Sequence, residues 1–257
     1  MSKLLVTAGW DNVPHLDADT KQRLLEAFPA HERQARTEGV PMLGSGLVFA
    51  VDESSITVHP FQVPDYWTRI NGIDFGWDHP TGASSLAYDA DNDCIYVIKD
   101  YSARQTVPAI TSMAIKAWGD WIPVSWPHDG LQHDKGSGMA LAQQYRAHGL
   151  KMLPNHATNA PQEGQKEGEG GNGVEATVQE MLERMMTGRW KVFKTCTNWL
   201  EERRTYHRKD GKIVKMKDDV ISSSRYARMM LRHAKVKQME KKPTIQGYRP
   251  SDSSMGL

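Results

Sequence analysis

Between Trp67 and Ser102 the polar and apolar residues form three strand-like runs in close succession, RINGIDFGW, ASSLAYDAD and CIYVIKDYS. Short polar turns separate them, and the tight Asp89–Asp93 loop favours an antiparallel meander. Helical spacing then places Ile110, Met113, Ala114 and Ala117 on one face over 108–118, before a strand WIPVSW. A helix from Met139 to His148, ended by Gly149, and a strand LKMLPN follow. Three adjacent strands followed by alternating helix and strand predict an α/β sheet with helices on its faces.

Downstream, 155–173 is rich in Gly, Glu, Gln and Asn without apolar anchors and reads as a mobile loop. VEATVQEMLERMM and the stretch 198–206 are helical, with the strand WKVF between them. Asp210-Gly211 signals a two-residue hairpin inside TYHRKDGKIVK, and a final helix is expected from Asp218 to Ala234. Upstream, Leu24, Leu25 and Phe28 mark a helix over 19–38 with Asp17 or Asp19 as its cap, while LVFAV and SITVHPF read as short strands or an extended arm. The expected division is a connecting and packing region at 1–66, a main domain at 67–236 and a flexible tail at 237–257.

The chain has 257 residues, 39% hydrophobic and 25% charged, which is ordinary for a globular protein. Neither an 18-residue apolar run nor a secretory pattern at the amino terminus appears, so no membrane partner is expected. Cys94 and Cys196 belong to no CxxC pair and read as buried spectators. The net charge of +1 hides an asymmetry: from Arg184 to Lys242 there are 18 Lys and Arg against 6 Asp and Glu. A polyanion, or simply a solvated surface, accounts for that segment.

Carboxylates at the carboxyl ends of buried strands are the candidate chemistry, because ligand sites in open α/β sheets collect there. Asp74 closes the first strand, Asp129 the strand WIPVSWPHD, and Asp218 and Asp219 open the last helix. Singly, each also reads as a turn former or a cap. If the first and fourth strands run parallel side by side, the acids meet at one sheet edge, where only cations offset their repulsion. Oxygen ligands suit Mg²⁺ or Mn²⁺ and phosphoryl transfer by metal-activated water. DFG at 74–76 is no kinase signature here, since the glycine-rich loop is missing. A transition-metal site at His128, Asp129, His133 and Asp134 lacks the usual helical spacing; His79 and His128 each read as a turn histidine without a role or, alternatively, as a residue that orients a carboxylate or water, and Trp77 as a base-stacking candidate.

The segments GIDFGWDHPTG, PVSWPHDGLQHDKGSG and KDDVISSSRYARMML resemble motifs of the carboxyl-terminal nuclease domain of tailed-phage terminase large subunits, over about residues 67–235. The opening stretch, TAGWDNVPHL to ARTEGVPMLGSG, resembles the segment after the ATPase core in that family. The resemblance implies a ribonuclease H-like mixed sheet with an added basic β-hairpin. It also implies a metal-dependent endonuclease that cuts concatemeric viral double-stranded DNA in the bacterial host cytoplasm. Two Mg²⁺ or Mn²⁺ ions would be held by Asp74, Asp129 and Asp219, with Asp218 assisting. Where many members carry another acid, this chain reads Ser222, Ser223 and Ser224. No GxxxxGKS/T loop is present, so the ATPase motor half is expected as a partner, with the small terminase subunit and portal; an excised domain and a truncated product both fit. The basic stretch supplies DNA-contact candidates Arg203, Arg204, Arg208, Lys209, Lys212, Lys215 and Lys217. A recombinase or junction resolvase of the same fold, or an idle DNA-binding module whose acids are caps, are the alternatives.

Overall fold

The computed structural model describes residues 9–12, 16–28, 33, 36–39, 46–76, 78–133, 138–161, 163–164, 166 and 170–238. Its strands are β1 (Thr57–Val58), β2 (Thr68–Asp74), β3 (Thr81–Asp89), β4 (Cys94–Ala103), β5 (Pro123–Ser125), β6 (Lys151–Met152) and β7 (Trp190–Phe193), with a separate hairpin of β8 (Arg208–Lys209) and β9 (Lys212–Ile213). The helices are α1 (Ala18–Ala27), α2 (Glu53–Ile56), α3 (Pro108–Lys116), α4 (Leu141–Ala147), α5 (Val174–Met186), α6 (Thr197–Thr205) and α7 (Asp219–Met229). Seven strands form one mixed sheet in the order β1-β7-β4-β3-β2-β5-β6. The meander β2-β3-β4 is antiparallel, whereas β5 joins β2 in parallel, Asn71 opposite Val124 and Gly72 opposite Ser125. The carboxyl ends of β2 and β5 therefore emerge side by side.

Both faces of the sheet are covered, which is why Ile70 and Ile73, of opposite parity on β2, are equally buried. On one face Phe75 packs its ring 5.1 Å from that of Tyr145 on α4. On the other lies α7, seated unusually deep. A Cβ on Gly72 would stand 1.9 Å from the Ser223 carbonyl oxygen, and one on Gly82 would stand 2.4 Å from the Asp219 carbonyl carbon. Ser223 Oγ meets Ser84 Oγ at 3.0 Å, Ser125 Oγ donates to the Tyr226 carbonyl at 2.8 Å, and Trp199 Nε1 on α6 donates to Ser224 Oγ at 3.0 Å. The serine run at 222–224 is therefore packing chemistry: small side chains let helix and sheet approach.

Several sequence expectations change. The helix expected over 19–38 is interrupted after Ala27, since Pro29 disfavours helical backbone at Phe28, with helical backbone again at 36–38; Asp17 is its cap, accepting from the Thr20 amide at 2.7 Å. SITVHPF is not one strand: Asp52 accepts from the Ser54 amide at 2.8 Å and winds 53–56 into a helical turn before β1 pairs with β7. LVFAV yields an isolated bridge at Leu47, and Phe49 is fully buried against Trp199 and Tyr206. WIPVSWPHD ends as a strand at Ser125, and Pro127 leads into a 3₁₀ turn over His128–Leu131. The described residues of 155–173 form no helix or strand, but they are anchored: Ala157 is buried, its amide donates to the Trp126 carbonyl, and Asn159 donates to the Gly171 carbonyl. Asp210 and Gly211 both take positive φ, 50° and 75°, as a two-residue hairpin turn demands. Cys94 and Cys196 are free and buried. Trp77, Asp134 and nearly all of the 237–257 tail lie outside the described residues, and no described helix is long and apolar enough to cross a membrane.

The close seating of α7 makes a stability prediction. Gly72→Ala and Gly82→Ala each place a methyl group against backbone that cannot yield, so each is expected to cost at least about 1–3 kcal/mol in urea unfolding. Gly171→Ala, facing open space, is expected to change little. Equal stability of all three variants would show that the helix is not pressed onto the sheet.

Candidate active site

The antiparallel register places Asp74 opposite Gly82, and Gly82 is where the first turn of α7 touches the sheet. Asp218 and Asp219 thus arrive above the end of β2, while the turn after β5 brings Asp129 alongside. All four acids line one cavity of about 460 Å³, together with His79, Arg104, Lys215, Lys217, Arg225 and Tyr226. Asp219 is buried, Asp74 and Asp218 are half-buried, and Asp129 is exposed at the rim. Neighbours at a helix start ordinarily point apart, yet both Asp218 and Asp219 border this cavity.

Burial pushes the Asp74 carboxyl well above the usual carboxylate range, the Asp219 and Asp218 carboxylates push it further, and only the Arg225 guanidinium opposes them appreciably. Asp218 is raised by burial and then by Asp219, against a hydrogen bond from Ser222 Oγ at 3.3 Å and the charges of Arg225 and Lys215. His79 Nδ1 lies 2.6 Å from Asp219 Oδ1, so the histidine does orient a carboxylate. His128 instead packs edge-on against His156, ring centroids 4.9 Å apart. The oxygen-rich donor set fits a hard divalent cation, although among the described residues no three His, Cys, Asp or Glu side chains form a finished metal cage. Asp219 is turned onto His79 and Asp218 onto Ser222 instead.

Glu202 was missed in the sequence. Buried on α6, it accepts from the Val220 amide through both oxygens, at 3.1 and 2.9 Å, and from the Ile221 amide at 2.9 Å. It caps α7, whereas Asp218 at the N-cap position makes no side-chain capping bond. Capping is therefore not what Asp218 and Asp219 are for. Burial raises the Glu202 carboxyl to about 8, against the two amide bonds and with the added repulsion of Asp219 and Asp218. No local signal marks Glu202, because a cap is ordinarily sought within three residues of the helix start and this one comes from another helix.

The basic residues divide. Arg203 is only 1% exposed and pairs with buried Glu53 at 3.3 Å, with a second bond to the Val51 carbonyl. Arg204 grips the same Glu53 at 2.9 and 2.5 Å. Neither is placed to meet phosphate, contrary to the expectation from charge, because both are consumed in fastening α2 to α6. Arg208 is held bidentately by Glu175 at 2.9 and 2.5 Å. Lys209, Lys212, Lys215 and Lys217 are exposed, the last two on the cavity wall.

The sequence family described as Terminase RNaseH-like domain matches residues 71–231. The chain belongs to that family. It is 41% identical to the terminase large subunit of Salmonella phage P22 over 230 residues, 89% of this chain and 44% of that protein. It is 42% identical to the corresponding subunit of Enterobacteria phage LP7 over 217 residues, 84% and 44% of the two chains. The chain thus spans less than half the length of these curated relatives. The solved structure of the P22 large terminase nuclease domain aligns with a TM-score of 0.67 at 42% identity, covering 75% of this chain and 95% of that one. The large terminase of a thermophilic bacteriophage aligns at 0.53 and 15% identity over 85% of this chain and 53% of that one, sharing the fold. The mixed seven-stranded sheet is a ribonuclease H-like fold, as the motif resemblance implied.

The raised carboxyls of this terminase-family domain set a pH dependence. In chelator, Asp74, Asp218 and Glu202 retain protons in the folded state that the unfolded chain has released. Their contribution to stability is present below the ordinary carboxylate values and is lost as pH rises. For Glu202 the window runs from its ordinary 4.5 to about 8. Thermal melts are expected to show Tm falling across this range in the wild type and falling less in Glu202→Gln. A Tm that rises from pH 5 to 8, with no difference between the two proteins, would contradict this electrostatic picture.

Proposed function

We propose that this chain is a metal-dependent endonuclease that cuts concatemeric viral double-stranded DNA during genome packaging in the bacterial host cytoplasm. It would act beside an ATPase motor half, a small terminase subunit and a portal. One observation carries the reading: Asp74, Asp129, Asp218 and Asp219, from three separate chain segments, line a single cavity at the carboxyl edge of the sheet. The idle-module alternative needs the helix-borne acids to be caps, and Glu202 already does that work.

Asp74, Asp129 and Asp219, with Asp218 assisting, would hold two divalent ions, Mg²⁺ or Mn²⁺. Such ions supply, when bound, the charge that offsets the carboxylates, lowers the pKa of an attacking water and stabilises the leaving 3′ oxygen. The water oxygen bonds to phosphorus as the P–O3′ bond breaks, leaving a 5′ phosphate and a 3′ hydroxyl. His79 holds Asp219 in a fixed orientation, and Glu202 fixes the turn that carries it. Lys209, Lys212, Lys215 and Lys217 would take phosphates without reading sequence.

Purified chain is expected to nick supercoiled plasmid with Mn²⁺ or Mg²⁺ and not with chelator. Asp74→Asn should lower the rate at least ~10²-fold while keeping the fold, since several kcal/mol of transition-state stabilisation depend on the bound charge. Full activity in that variant would end the assignment. A branched-junction substrate assayed beside linear duplex tests the resolvase alternative, which requires preference for the branch.

Replacing Lys209, Lys212 and Lys217 with Ala is expected to weaken duplex binding alike for all sequences. Each lost phosphate contact should reduce the magnitude of the log–log salt slope by about 0.9. An unchanged slope would make these lysines a solvated surface.

A further inference from the structure

The cavity that holds the four acids has one more positive group that neither its carboxylates nor the basic hairpin accounts for. Arg104 follows the last residue of β4, Ala103, which is paired with Thr81 at the start of β3. It lines the same cavity as Asp74 and Asp219, yet it is exposed and forms no ion pair with any described residue. An arginine beside four acids ordinarily folds onto one of them, as Arg203, Arg204 and Arg208 do with theirs elsewhere in this chain. Arg104 stays open to the cavity.

Its backbone is not left to chance. Gln105 adopts a left-handed conformation, φ 49°, which is uncommon for a non-glycine residue and costs energy of order 1 kcal/mol. Thr106 Oγ1 lies 3.1 Å from Thr111 Oγ1, and Pro108 opens α3, so the three residues after Arg104 are pinned between β4 and that helix. Backbone strain of this kind persists where the surroundings impose it, and it collects at sites that hold a ligand. Lys215 and Lys217 reach the cavity from the segment that leads into α7. Arg104 reaches it from the loop that leads into α3, which connects to the other side of the meander. The acids thus have a cation source on each of two independent walls.

We propose that Arg104 contacts the substrate, its guanidinium taking a backbone phosphate of the strand being cut while Lys215 and Lys217 take phosphates on the other wall. This rests on the endonuclease reading and adds a residue to it. A phosphodiester strand is the ligand that satisfies both parts of the cavity: its scissile group belongs over the acids, and the neighbouring phosphates carry the charge that the walls await. A guanidinium suits that contact because it offers two parallel donors to phosphate oxygens.

The test compares wild type, Arg104→Ala and Arg104→Lys of the full chain, using a linear duplex oligonucleotide with Mn²⁺ for steady-state cleavage and fluorescence anisotropy over a salt series for binding. Arg104→Ala is expected to raise KM at least about tenfold, the loss typical of one charge-assisted hydrogen-bonded contact, with kcat changed far less. The magnitude of its salt slope should fall by about 0.9. Arg104→Lys is expected to recover most of the slope, since it keeps the charge, and only part of KM, since it loses the paired donors. All three proteins should melt alike, because Arg104 is exposed and forms no ion pair with a described residue. If Arg104→Ala matches wild type in KM and salt slope, or if its defect is a lowered Tm that Lys does not restore, the proposal is overturned while the endonuclease reading stands. If wild type itself does not cut, the reading beneath it fails, and an altered salt slope in Arg104→Ala would still report the phosphate contact.

Discussion

The depth at which α7 sits on β2 and β3 is the constraint from which the rest of the structure follows. Gly72 and Gly82 leave no room for even a methyl group beneath the helix, and Ser223 and Ser84 close the interface with a hydroxyl pair. A larger residue at either glycine would lift the helix and carry its first turn away from the sheet edge. That turn holds Asp218 and Asp219, so packing at the centre of the domain sets their distance from Asp74, which lies far away in sequence. The parallel pairing of β5 with β2 completes the arrangement by delivering Asp129 to the same edge.

Gathering these carboxylates is unfavourable in itself, and the structure shows how the cost is distributed. Asp74 and Asp218 bear raised carboxyls, His79 holds Asp219, and Arg225 supplies the main opposing charge. Glu202 adds a further buried carboxyl a short distance behind them, held by the free amides of α7. A helix amino terminus leaves amide donors without partners, and here they find acceptor oxygens on a neighbouring helix. The acids of the first turn are consequently left facing the cavity. A domain built this way is electrostatically loaded until positive charge enters the site.

The cations follow the same division between framework and surface. Glu53 is buried between Arg203 and Arg204, and removing one partner of such a buried pair commonly costs about 3–5 kcal/mol. These arginines tie the segment before β1 to α6, the helix that also carries Glu202, so the positive segment of the sequence partly serves to hold the acid site's support in place. The lysines, on flexible stems and without acidic partners among the described residues, remain on the surface, Lys215 and Lys217 on the cavity wall.

Local chemistry was enough to write down the meander, the Asp210-Gly211 hairpin, the alternation of helix and strand, and the acids at the element ends, because period, turn residues and strand termini are properties of neighbouring residues. It missed the helical turn at 53–56, where an aspartate cap outcompeted β propensity, and it let the helix over 19–38 run unbroken through Phe28. Charge counting alone had no means of separating Arg203, sealed against Glu53, from Lys215, open to the cavity, since both are simply positive residues in one basic stretch. The role of Glu202, the pairing of His79 with Asp219 and the placement of Arg104 were decided only by tertiary structure. Each depends on contacts between segments far apart in the chain, and burial and long-range pairing exist only once the sheet has brought those segments together.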